Sequence, residues 1–145
     1  MPNTSHRHVI PETFVQLLYE YLDSKGHEPE SLLGHPWPQN SHDGLGGINV
    51  ELWSQFLNKS AVALNDPVLG LDLARTVSVK HLGLVGALTL ASENMQAAFQ
   101  RLDRYLRLVF DVVPMVIRHG EDWFEITWDE SDYQTDPLVN VTGNA

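Results

Sequence analysis

The sequence predicts an α+β fold: a mainly helical N-terminal part of about five helices, followed by an antiparallel β-hairpin. Three observations carry this. Apolar residues recur at helical spacing in successive segments as far as Val109. After Pro114 the apolar period changes to two. Between the periodic segments stand Gly, Pro, Asn and Asp in the positions that start or stop helices.

In chain order, Pro11 and Glu12 open a helix carrying Phe14, Leu17, Leu18, Tyr21 and Leu22, and Gly26 is placed to end it. Pro29 starts a short helical turn, "PESLL", that stops at Gly34. Residues 35–47, "HPWPQNSHDGLGG", read as a loop by every local rule. Asn49 is positioned to cap a helix with Leu52, Trp53, Phe56, Leu57 and Leu64 on one stripe, and Asn65 ends it. Asp66-Pro67 then leads into the short helix "VLGLDLA".

The run "KHLGLVGALTLAS" from Lys80 is the most apolar in the chain and contains Gly83 and Gly86, three residues apart. That spacing predicts two small notches on one helix face, against which a neighbouring element packs closely, with the helix buried nearly all round. The milder alternative is that Gly83 only starts the helix, with Gly86 alone accommodating a contact. Ser92 or Asn94 caps the strongest amphipathic helix, whose apolar face holds Met95, Ala98, Phe99, Leu102, Tyr105, Leu106 and Val109. Beyond Pro114, Met115 and Ile117 alternate with Val116 and Arg118, and Phe124, Ile126 and Trp128 with Glu125, Thr127 and Asp129. The intervening "HGED" supplies the turn.

Length and composition narrow the function. A chain of 145 residues is expected to form one domain and to bury roughly 68% of its unfolded surface. There is no cysteine, which excludes a disulfide framework and a thiol nucleophile and fits a reducing, cytoplasmic location. No apolar run reaches the roughly 18 residues of a membrane span. The net charge is −10, distributed as −6 over residues 1–74, +3 over 75–118 and −7 over 119–145. So negative a chain repels phosphate backbones, so this segment by itself is not expected to bind nucleic acid.

No catalytic or cofactor motif stands out, so no enzyme activity and no cofactor is expected. There is no HExxH and no Gly-x-Ser-x-Gly, and "GLGG" at Gly44–Gly47 lacks the Lys-Ser/Thr of a phosphate loop. The histidines His6, His8, His35 and His42 fall on the terminus and the loop without metal-ligand spacing. Glu121-Asp122 sits at the hairpin tip, where solvation is the ordinary explanation. What remains is material for a ligand pocket: Trp53, Tyr105, Trp123, Phe124 and Trp128 as apolar walls, with His81, Arg104 and Arg107 as polar groups. For each the alternative stays open, core packing for the aromatics and plain surface for the arginines.

"DPVLGLDLA" from Asp66, "HLGLVGALTLAS" from His81 and "RYLRL" from Arg104 resemble the N-terminal domain of AraC-type bacterial transcriptional regulators. The resemblance is to the helix-rich, arabinose-binding-type branch, and it runs from about Pro11 to Trp128. It implies a regulatory domain, residues 1–145, that senses an unknown small-molecule effector, forms a homodimer, or both. It also implies that promoter DNA is reached only through a C-terminal pair of helix-turn-helix motifs. The sequence, ending at Ala145, shows no such motif, so a fragment of a larger sensor domain is expected. A ligand-free interaction or dimerisation module is the alternative, with a small-molecule enzyme as the third.

Overall fold

The computed structural model describes residues 9–42, 46–109, 115–128 and 137–139, with the side chains of Leu84 and residues 106–109 outside that description. Among the described residues, six α-helices, one 3-10 turn and two small antiparallel strand pairs form the α+β fold.

Strand β1 (Val9–Pro11) runs directly into α1 (Glu12–Ser24). The turn after α1 uses Gly26 at φ 83°, and α2 (Pro29–Leu33) ends at Gly34 at φ 75°, both left-handed positions that suit glycine. Strand β2 (Gly47–Asn49) pairs with β1 in the register Val9↔Asn49, Ile10↔Ile48 and Pro11↔Gly47. This pair was not anticipated: each strand is three residues long, too short for an alternating pattern to show. Gly47 is required there because a Cβ would run into the carbonyl oxygen of Ile10.

Loop 35–42 is held against α1 by side chains of that helix. Glu12 accepts from the backbone N–H and hydroxyl of Ser41 at 2.7 and 2.9 Å. Gln16 donates to the Pro38 carbonyl and to Asn40 at 3.1 and 2.8 Å. The Tyr19 hydroxyl donates to the His35 carbonyl at 3.0 Å; burial, assisted by the Glu30 charge, raises its pKa.

Helix α3 (Val50–Leu64) starts at Asn49, whose side chain accepts from Leu52 N–H at 2.8 Å, and ends at Asn65 at φ 50°. With α1, α2 and α4 (Leu69–Ala74) it encloses the main core, where Leu18, Tyr19, Leu22, Phe56, Leu57, Leu69 and Leu73 are all buried. Each such large apolar side chain contributes about 1.5–3 kcal/mol by leaving water. Val139, from the segment 137–139, packs into the same core.

The 3-10 turn (Val79–Leu82) rests on α1 and leads through Gly83 into α5 (Gly83–Leu90). Here the paired notches give way to the milder alternative: Gly83 starts the helix and Gly86 alone takes the close contact. Gly83 has φ 54° and ψ −136°, a conformation that side chains avoid, and nothing stands where its Cβ would be. It redirects the chain and accommodates no neighbour. Gly86 is a true close approach: a Cβ there would lie 2.7 Å from Leu82 Cβ and 2.9 Å from the Val79 carbonyl oxygen. Nor is α5 buried all round, since Val85 and Gly86 are buried but Ala87 and Leu90 are exposed. Among the described residues it is the 3-10 turn and α6 (Met95–Val109) that pack against this run, which leaves part of it open to solvent.

Asn94 caps α6, accepting from Ala97 N–H at 2.9 Å, while the Ser92 hydroxyl donates back to the Leu88 carbonyl. Arg101 also donates to the Leu88 carbonyl at 3.0 Å, placing a cation at the C-terminal end of α5 where the helix dipole favours it. Strands β3 (Met115–His119) and β4 (Phe124–Trp128) form the expected hairpin, with Met115↔Trp128, Ile117↔Ile126 and His119↔Phe124 opposite each other. No described helix is long and apolar enough to cross a membrane.

Candidate functional site

The hairpin lies along α6, and elementary dimensions decide which ends meet. Five residues separate Val109 from Met115 in the sequence and β3 packs against α6, a combination that suits an antiparallel return. Five strand residues cover about 16 Å at 3.3 Å each, which equals about eleven helical residues at 1.5 Å. Counting back from the end of α6, the hairpin tip therefore falls beside Phe99. The observed contact agrees: the Phe99 and Phe124 rings are 4.5 Å apart and inclined at 38°.

Around that pair lies a cleft of about 180 Å³. Its helical wall comes from Met95, Gln96, Phe99 and Gln100, at i, i+1, i+4 and i+5, so that they line two adjacent ridges of α6. Its other wall comes from Ile117, His119 and Phe124, on the hairpin face turned to the helix, and from the turn residues Gly120–Trp123. The turn is closed by Gly120 N–H donating to the Trp123 carbonyl at 2.9 Å. The Trp123 indole folds over Gly120 so closely that a Cβ would collide with Nε1. The opposite hairpin face carries Arg118 and Glu125, whose charged groups are 3.9 Å apart.

A hollow of about 610 Å³ runs along Val68, Leu71, Asp72, Ala74 and Arg75. Although larger, all its walls belong to α4 and its flanks, so no second element encloses a ligand. The smaller, two-sided cleft is the better candidate.

The anticipated site residues do not converge. Trp123 lines the cleft, and so does Phe124. Trp53 is only 3% exposed and belongs to the main core. Arg104 is exposed, its guanidinium 6.0 Å from the ring of neighbouring Tyr105; both stand further along α6 than the cleft residues. The side chain of Arg107 lies outside the described residues.

His81 belongs to a separate polar node. It is buried, and its Nδ1 accepts from the Ser78 backbone N–H at 2.9 Å, so the ring proton sits on Nε2. Nε2 faces Glu20 Oε2 at 3.2 Å, and Lys80 Nζ meets both Glu20 oxygens at 2.9 and 3.0 Å. Lys80's hydrogen bond is the largest influence lowering the Glu20 pKa, with His81 adding to it against a desolvation penalty. Ser78, His81 and Glu20 follow the order of nucleophile, base and acid. The Ser78 hydroxyl lies 3.1 Å from His81 Nδ1, but that lone pair already takes the Ser78 backbone N–H, and the hydroxyl accepts from the His81 backbone N–H in a reciprocal cap. The node ties the 3-10 turn to α1 rather than activating the serine.

Sequence reasoning passed over Phe99, Gln96, Gln100, His119 and the pair Glu121-Asp122 as cleft residues. The signal that locates them is the short helix-to-strand connection together with the two rise values, not any motif. Among the described residues no group of His, Asp or Glu is arranged to hold a metal ion.

A protein-family model described as "Arabinose-binding domain of AraC transcription regulator, N-term" matches residues 38–143, more than half of the chain. The match spans the whole cleft and His81 but not Glu20. Comparison with curated proteins gave no match.

Proposed function

The chain belongs to the family of N-terminal arabinose-binding domains of AraC transcription regulators, a family of ligand-binding regulatory domains, and from that premise we propose that the α6–hairpin cleft is its effector site. We further propose that occupancy of the cleft controls DNA binding by a helix-turn-helix domain of the full-length, cytoplasmic regulator. The carrying observation is the two-sided cleft floored by Phe99 and Phe124 and bordered by Trp123, the combination of apolar walls with a few polar groups that small-molecule sites use.

A route for the signal follows from packing. Helix α6 contacts α5, α5 rests on the 3-10 turn, and that turn is pinned to α1 through His81 and Glu20. A ligand that wedges α6 from the hairpin shifts this series only if it binds one arrangement more tightly than the other. A 100-fold preference corresponds to about 2.7 kcal/mol.

The test is a thermal-shift screen of metabolites against the domain and the full-length regulator. A ligand at 100 times its Kd stabilises by about 2.7 kcal/mol, and Trp123→Ala should remove the shift. A hit whose shift survives both Trp123→Ala and Phe99→Leu would place the site elsewhere. A ligand-free dimerisation module is the second reading, supported by the exposure of Leu90, Met95, Val116 and Trp128 on the same part of the fold. Sedimentation with a concentration-dependent mass, together with no ligand shift, would favour it.

A further inference from the structure

Resting on the reading of the α6–hairpin cleft as an effector site, we infer that its ligand is a small organic cation, an ammonium group on a short apolar body. The charged groups on the cleft wall are Glu121 and Asp122, adjacent at its mouth, and no Lys or Arg lines it. Among the described residues neither carboxylate has a hydrogen-bond or ion-pair partner. Arg118 faces Glu125 on the other side of the hairpin, Arg101 serves the Leu88 carbonyl and Lys80 serves Glu20. An anionic ligand would therefore meet two like charges, with the imidazole of His119 as the one basic group of the lining to oppose them.

The apolar part of the cleft favours the same class. The indole of Trp123, held against the turn by the absence of a side chain at Gly120, lines the cleft together with the two carboxylates. Aromatic faces attract ammonium groups, most strongly tryptophan. Phe99 and Phe124 offer an apolar floor for a short hydrocarbon body, and the Gln96 and Gln100 side-chain carbonyls add neutral acceptors for N–H donors. At about 180 Å³ the cleft is below the usual range for drug-sized ligands, so it suits a body of a few carbons. A neutral polyol can use the amides but gains nothing from the juxtaposed charges.

The experiment titrates the chain with n-butylammonium, butyrate and arabinose, followed by calorimetry and tryptophan fluorescence. Saturable binding of n-butylammonium, with none of butyrate up to about 10 mM, is expected. Glu121→Gln with Asp122→Asn should weaken binding about tenfold, equivalent to 1.4 kcal/mol. Trp123→Ala should abolish it, and Gly120→Ala, which lifts the indole without removing it, should give an intermediate loss. All four positions are exposed, and an unchanged urea midpoint for each variant verifies folding. Butyrate or arabinose binding as well as butylammonium, and lost in Trp123→Ala, would overturn the cation while leaving the cleft as the effector site. Butylammonium binding unaltered by any of these variants would reduce it to diffuse attraction to an acidic chain and overturn the proposal. Absence of saturable butylammonium binding would overturn it as well, while a metabolite shift lost in Trp123→Ala would still support the cleft.

Discussion

Removing the His81 imidazole tests whether the polar node, rather than apolar contact alone, fastens the 3-10 turn to α1. The Nε2–H donates to a carboxylate at 3.2 Å from a side chain only 4% exposed. A hydrogen bond to a charged group is worth roughly 1.5–3 kcal/mol. The length of this one and the half-exposure of Glu20 place it at the lower end, about 1.5 kcal/mol. Losing the buried ring in His81→Ala adds about 1 kcal/mol of apolar burial, for a total near 2.5 kcal/mol. For a chain of this size that lowers Tm by roughly 5–10 °C. Glu20→Gln and the double variant complete a cycle, measured by urea denaturation with far-UV circular dichroism, and a coupling of about 1–1.5 kcal/mol is expected. The sign with pH follows from Glu20. Its folded pKa is lowered, so its contribution is present above the unfolded carboxylate range and fades as pH falls through the folded value. The wild type should thus lose more stability on acidification than Glu20→Gln does. Additivity of the two single variants within about 0.5 kcal/mol, or equal acid sensitivity in wild type and Glu20→Gln, would refute the reasoning.

Three further outcomes are expected. Gly47→Ala drives a methyl into the Ile10 carbonyl, and because backbone cannot yield as a side chain can, about 1–3 kcal/mol should be lost in urea titration. Glu12→Ala removes the acceptor that holds Ser41 through two hydrogen bonds. That costs about 1–3 kcal/mol, and limited proteolysis should cleave loop 35–42 faster. The chain should show no retardation of duplex DNA in a mobility-shift assay at moderate salt, because its net charge is −10; tight sequence-specific retardation would contradict the charge argument.

The helices and the hairpin were legible because their signals are local. Asn49, Asn65 and Asn94 announce caps, and the structure uses each as an end or a start. The change to a period of two after Pro114 is likewise a property of adjacent residues. What was not legible depended on residues far apart in sequence. The pairing of Val9–Pro11 with Gly47–Asn49 has no pattern in either three-residue segment. The meeting of Glu20 with His81 spans three helices. Glycines gave half an answer: the spacing of Gly83 and Gly86 is the same for two notches as for a turn and a notch, and only φ separates them. The cleft is an intermediate case, since its walls were readable as amphipathic elements but their alignment needed the connection length and the rise per residue to be used together.

Gly83 carries one more implication. Because nothing stands where its Cβ would be, the need for glycine at this corner comes from the backbone angles, φ 54° and ψ −136°, and not from a neighbour at that point. The segments before and after it are nevertheless fitted to each other, since a Cβ at Gly86 would meet Leu82 and the Val79 carbonyl across the corner. Sequence exchanged on either side of this corner should therefore keep Val79, Leu82, Gly83 and Gly86 together as one set, the glycine at 83 for its angle and the glycine at 86 for its clearance.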